Sequence, residues 1–219
     1  MRWVLVAVLL ASALAVALLP ANLLPVSLWP GNLGSRADPA AATSVGAAQL
    51  ASFDELRSRA ALQPCPAASP DTAPVRGVLA GLVLPCLGQP GTVDLGAALA
   101  GRPALLNLWG PLCRPCAQEL PALAAYAAGT DAVTVLGVEV QRLPEGALDM
   151  LAALNVHYPS VSDPDGRLRA ALGAPAVLPL SYVVSADGRV SQVNPPEVLR
   201  SPEQVRTVVQ RYLGPSAVG

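Results

Sequence analysis

Two cysteines one helical turn apart, in Trp109-Gly110-Pro111-Leu112-Cys113-Arg114-Pro115-Cys116, have the residue type and spacing for reversible dithiol chemistry. Three residues along a helix is a Cα separation of roughly 5 to 6 Å, within the reach of a disulfide. The run CRPCAQELPALAAYAA has the Ala, Leu, Gln and Glu content of a helix, which places Cys113 at its start. There, unpaired backbone N–H groups and the positive end of the helix dipole stabilise a thiolate, and Arg114 adds a cation beside it. Cys113, exposed at the helix tip, is therefore the expected nucleophile, and Cys116 the thiol that resolves a mixed disulfide from within. Pro115 falls in the first turn, where its missing N–H leaves no bond unmade and its fixed φ suits a helix, so it stiffens the dithiol loop. A CxxC pair can also hold zinc, but zinc needs more ligands than two. Cys65 and Cys86 form no second knuckle, and the single histidine, His157, stands in the loop-like NVHYPS, so no metal is expected.

The elements that position this pair can be read outward from it. PALLNLW, residues 103–109, reads as a strand entering the dithiol, and the helix runs from Cys113 to about residue 128. Next come a strand at 132–140, AVTVLGVEV, a helix at 144–155, PEGALDMLAALN, and a short strand and helix near DPDGRLRAAL. Alternation at this spacing implies βαβ units. LSYVVSADGRVSQV then reads as an antiparallel hairpin turning at Asp187-Gly188, and SPEQVRTVVQRYL as a closing amphipathic helix. A parallel pair feeding such a hairpin makes a mixed sheet. Pro121 cannot donate to the carbonyl one turn back and is expected to bend the dithiol helix.

Of 219 residues, 53% are hydrophobic and 13% charged, an unusual balance for a soluble chain that an apolar amino-terminal segment partly explains. No residue from Trp3 to Trp29 is charged, and Arg2 precedes the run. This favours an uncleaved single membrane span over residues 1–29, amino terminus inside, with a signal peptide as the competing reading. Residues 30–46, rich in Pro, Gly, Ala and Ser, read as a linker. A domain over 47–215 follows, with an extension at 47–100 and a core at 101–215. The extension holds a helix, AAQLASFDELRSRAALQ, a Pro-rich loop with Cys65, and a strand-like approach to Cys86. Either amino-terminal reading places the domain in an oxidising compartment, where four cysteines are expected to pair. If Cys113 pairs with Cys116, Cys65 and Cys86 remain as a disulfide stapling the extension to the core, or as a second redox pair relaying electrons. Net charge is −1 with no basic cluster, which removes the electrostatic case for nucleic acid.

From about Val75 to Gly214 these features together resemble the thioredoxin fold. Within it the chain is similar to the membrane-anchored extracytoplasmic reductases that include TlpA, ResA and the cytochrome c maturation thioredoxins. The residues that carry the likeness are Trp109 at the strand end, Cys113, Pro115 and Cys116, and Pro179 in VLPLSYVVSADG. The resemblance implies an α/β fold whose mixed central sheet is flanked by helices. It further implies a cis Leu178-Pro179 bond facing the dithiol, with Leu178, Pro179 and Trp109 against an extended substrate segment. Glu119, followed by Leu120-Pro121, matches a carboxylate near the buried thiol, where a raised pKa suits it to take and return the Cys116 proton. By the same likeness, the substrates are extracytoplasmic proteins with cysteines, apocytochrome c among them, the electron donor is a CcdA-type membrane protein, and no dissociable cofactor is required. The chain departs from the group at Leu112, where a second Trp is usual, and at Arg114, where a small or neutral residue is usual. Arg114 shifts the couple towards a stronger oxidant, so the direction of electron flow stays open.

Three rivals share the fold. A peroxidase wants a Thr and an Arg-supported peroxidatic Cys, where this chain has a vicinal thiol. A copper-binding assembly factor pairs a wider Cys spacing with a downstream His, and His157 lies far from the hairpin that brings such a His close. A scaffold domain with an inert pair is the third.

Overall fold

In the computed structural model, which describes residues 50, 52–68, 73 and 77–214, residues 52–60 form a helix, α1, and Cys65 follows in a loop. Strands β1 (Val83–Pro85) and β2 (Thr92–Asp94) pair as an antiparallel hairpin. Asp94 then caps a four-residue helix, α2 (Leu95–Ala98), by accepting the Ala97 N–H. The core follows as β3 (Ala104–Trp109), α3 (Arg114–Ala127), β4 (Thr134–Glu139), α4 (Pro144–Ala153), β5 (Ser160–Ser162), α5 (Arg167–Ala171), β6 (Leu180–Val184), β7 (Val190–Gln192) and α6 (Pro202–Leu213).

The main sheet has the order β5-β4-β3-β6-β7. Strands β3, β4 and β5 run parallel, and β6 is antiparallel to both β3 and β7. This is the expected mixed sheet in a thioredoxin-like α/β fold. Every residue of β3 is buried, as a central strand covered on both faces must be. Strand alternation sends Leu105, Asn107 and Trp109 to one face and Leu106 and Leu108 to the other. The first face packs on Leu120 and Leu123 of α3, Leu148 and Leu151 of α4, and Val205 and Val208 of α6. Across the sheet lie Leu84 and Val93 of the small hairpin, Leu99 and Leu168.

The helix expected from the run at 47–63 is continuous over 52–60 among the described residues. The expected membrane span at 1–29 and linker at 30–46 lie outside them. Among the described residues no helix is long and apolar enough to cross a membrane. Helix α3 runs through Pro121 to Ala127, so the proline does not end it. Helix α2 and the separate pairing of β1 with β2 were not expected, because three-residue strands are too short to display alternation.

Candidate active site

Strand β3 ends at Trp109, and the chain turns through Gly110, Pro111 and Leu112, closed by the Cys113 N–H donating to Gly110 O at 3.0 Å. Cys113 is the N-cap of α3, and its Sγ accepts the Cys116 N–H at 3.2 Å, the position a capping oxygen would take. Cys113 and Cys116 are joined as a disulfide with their Cα atoms 5.2 Å apart. Pro115 lies in the first turn and Arg114 is exposed beside the pair. The two sulfurs are not equivalent: Cys113 retains 8% of its surface and Cys116 none. Cys113 is thus more covered than its helix-tip position led us to expect, and it is part of the core cluster on the α3 face of the sheet.

One turn along α3, Glu119 has no exposed surface. Its Oε2 accepts from Asn107 Nδ2 at 2.7 Å and its Oε1 from the Leu199 N–H at 3.0 Å. Asn107 Nδ2 also donates to Ser181 Oγ at 3.2 Å, across the β3–β6 pair in which these two residues face each other. Burial dominates the energetics and raises the Glu119 carboxyl from 4.5 to about 7, against the lowering by the Leu199 and Asn107 hydrogen bonds. Burial first, and then the Glu119 charge, push the Tyr158 hydroxyl well above its usual range. A carboxyl poised near neutrality can both take and return a proton.

The Leu178-Pro179 peptide is cis. Continuing the β3–β6 register one step past Leu108 and Leu180 sets Pro179 beside Trp109 and Leu178 beside Gly110. Pro179 is buried, and Leu178 is half-buried against the cluster that contains Cys113 and Cys116. Among the described residues, no backbone hydrogen bond engages the Leu178 N–H or C=O. Trp109 requires a correction. It has no exposed surface, because its position in β3 turns the indole into the α3 face of the core, so it cannot touch a substrate as expected. The indole instead lies over Gly137, where an added Cβ would sit 2.9 Å from Trp109 Nε1 and 2.5 Å from Ser160 Oγ.

Cys65 and Cys86 form the second disulfide, Cα–Cα 6.2 Å, with both residues buried. Cys86 bridges to Val161 of β5, and the Leu87 N–H donates to Ser160 O at 2.8 Å, so these backbone contacts fasten the extension to the sheet edge and the disulfide ties the Cys65 loop to them. His157 sits in a loop with its Nδ1 2.9 Å from Ala60 O and its Nε2 3.0 Å from Asn155 Oδ1.

The Redoxin family pattern matches residues 64–209, a span holding both disulfides and the whole main sheet. The chain belongs to the Redoxin family. This redoxin is 33% identical over 111 residues to the soluble secreted antigen MPT53 of Mycobacterium tuberculosis, covering 50% of this chain and 63% of the relative. It is 34% identical over 126 residues to the thiol:disulfide interchange protein DsbE of Xylella fastidiosa, covering 55% and 63%. A secreted Mycobacterium tuberculosis disulfide oxidoreductase homologous to Escherichia coli DsbE superposes with a TM-score of 0.52 at 28% identity, covering 59% of this chain and 95% of that one. The chain therefore spans about 63% of the length of these curated relatives.

Some residues of the redoxin site escaped the sequence reading. Asn107, Ser181 and the Leu199 N–H converge on Glu119, and Gln141 reaches the dithiol turn, its Oε1 accepting the Leu112 N–H at 2.8 Å. Asn107 did leave a trace, as the one polar side chain in the apolar run ALLNLW. The others are brought in by pairing register and loop path, which no local pattern encodes.

Proposed function

We propose that this chain is an extracytoplasmic thiol-disulfide oxidoreductase acting on protein substrates through Cys113 and Cys116. One observation carries the reading: the helix-capping sulfur of Cys113 is bonded to a sulfur with no exposed surface, so only one end of the pair is open to a partner. In the reducing direction, the Cys113 thiolate attacks one sulfur of a substrate disulfide. A Cys113–substrate bond forms, the substrate disulfide breaks, and the released sulfur takes a proton from solvent. Cys116 then gives its proton to the Glu119 carboxylate and attacks Cys113 Sγ. The second substrate sulfur leaves, takes up a proton, and the Cys113–Cys116 disulfide remains, with two electrons passed to the substrate. The same steps in reverse oxidise substrate dithiols, and the difference in potential between the partners sets the direction.

Leu178 offers its unused backbone groups to an extended substrate segment, in the manner of an added strand, with Pro179 holding the bend behind it. Leu112, Leu143 and Val177, exposed at 76%, 39% and 51%, follow β3, follow β4 and precede β6, and supply apolar contact at that end of the sheet. The exposed Arg114 favours the Cys113 thiolate, and Pro115 stiffens the turn. The Cys65–Cys86 bond is structural. Residues 1–29 anchor the domain to the membrane, and the substrates are extracytoplasmic proteins with cysteine pairs, with apocytochrome c implied by the resemblance to cytochrome c maturation thioredoxins. A CcdA-type membrane donor restores the dithiol. Expression of Cys116→Ser tests the reading. Mixed disulfides through Cys113 accumulate if it holds, and none form, on this or a Cys113→Ser control, if it does not.

A further inference from the structure

The turn that carries Cys113 is held from the neighbouring strand. Gln141, two residues past the end of β4, accepts the Leu112 N–H on its Oε1 at 2.8 Å. Its side chain lies over Gly110, where an added Cβ would stand 2.3 Å from Gln141 Cδ. Gly110 has no positive φ, so its bare backbone serves space rather than conformation. The Gln141 backbone is itself pinned by a buried carboxylate. Glu139 Oε1 accepts the Gln141 N–H at 2.6 Å and the Leu143 N–H at 3.3 Å, and Oε2 accepts from Ser162 Oγ at 2.7 Å. Glu139 has no exposed surface. The Val140 N–H donates to Trp109 O at 3.0 Å, carrying the β3–β4 pairing to the strand end where the dithiol turn begins. Leu112 itself is 76% exposed, so its side chain gives the turn little hold.

We propose that Gln141, seated on Gly110 and fixed by Glu139, is a positioning residue for the Cys113 nucleophile. The inference rests on the dithiol reading above. In the disulfide form, Cys113 is tied to α3 covalently, and the Gln141 carboxamide is a second hold on the turn. In the dithiol form the covalent tie is gone, and the carboxamide keeps Cys113 Sγ where it accepts the Cys116 N–H. Losing that hydrogen bond therefore costs the dithiol more than the disulfide, and the couple becomes more reducing.

The test is equilibration of the full chain with glutathione, in which the protein dithiol passes two electrons and two protons to glutathione disulfide, leaving the Cys113–Cys116 disulfide and two glutathione thiols. Gln141→Leu removes the acceptor, and Gly110→Ala displaces it. Each is expected to shift the equilibrium towards the protein disulfide by about threefold to tenfold, the worth of one hydrogen bond, or about 14 to 30 mV. The double variant should shift no further than either single one, since both act on one contact. Wild-type equilibria in both single variants, or an additive double variant, overturn the positioning role. A wild-type chain inert to glutathione overturns instead the dithiol reading on which it rests.

Discussion

Glu119 is the residue whose chemistry depends most on its surroundings. Burial holds its carboxyl at about 7 in the folded chain against 4.5 when solvated, so the fold prefers it protonated. The folded state therefore binds more protons than the unfolded state between those values, and its stability falls as pH rises through that window. At about 1.4 kcal/mol per pH unit, the loss reaches about 3 kcal/mol once Glu119 is ionised. Urea unfolding at pH 4.5 and pH 8 should show Glu119→Gln gaining on the wild type by this order as pH rises, and parallel pH profiles would contradict the burial argument. The same substitution removes the acceptor proposed for the Cys116 proton. Stopped-flow resolution of a Cys113 mixed disulfide should slow by at least about tenfold and lose its inflection near neutral pH.

At the scale of elements, the packing of β3 against β4 depends on a side chain that is missing. Gly137 leaves the space into which the Trp109 indole and the Ser160 hydroxyl close, and an alanine Cβ would lie 2.5 Å from Ser160 Oγ. Overpacking of this kind costs about 1 to 3 kcal/mol, so Gly137→Ala should lower the urea midpoint without changing the slope. An unchanged midpoint would mean that the β3–β4 face is looser than described. The central strand and dithiol helix were legible because ALLNLW and CRPCAQELPALAAYAA each sustain a local pattern long enough to read. The cis bond before Pro179 came from likeness to a fold, not from local periodicity. What was illegible is what register and distant segments supply. Asn107 meets Ser181 only through the β3–β6 pairing, and the Leu199 N–H reaches Glu119 from 80 residues away. Trp109 was misjudged for the same reason: its position in the chain says that it ends a strand, and only the assembled sheet says which face it turns to.

For the whole molecule, the Cys65–Cys86 bond closes a separation of 21 residues and ties the Cys65 loop to the segment that bridges β5. Cross-links of that span stabilise by about 3 kcal/mol, so the Cys65→Ser/Cys86→Ser double variant should melt roughly 5 to 10 °C lower. Its exchange rate with substrate should be unchanged, and a lost rate in a folded variant would instead mark the pair as a relay. The dithiol thus sits at the carboxyl end of the central strand β3, and the staple beside the edge strand β5.

The central claim is that Cys113 is an activated nucleophile, and alkylation of the reduced chain tests it most directly. An ordinary thiol has a pKa of about 8.5 and is a few per cent thiolate at neutral pH. With reaction followed by mass spectrometry at pH 7, Cys113 should be alkylated about tenfold faster than a peptide cysteine, and Cys116, with no exposed surface, should lag behind it. Reaction of Cys113 at the peptide rate, or of Cys116 first, would contradict the assignment.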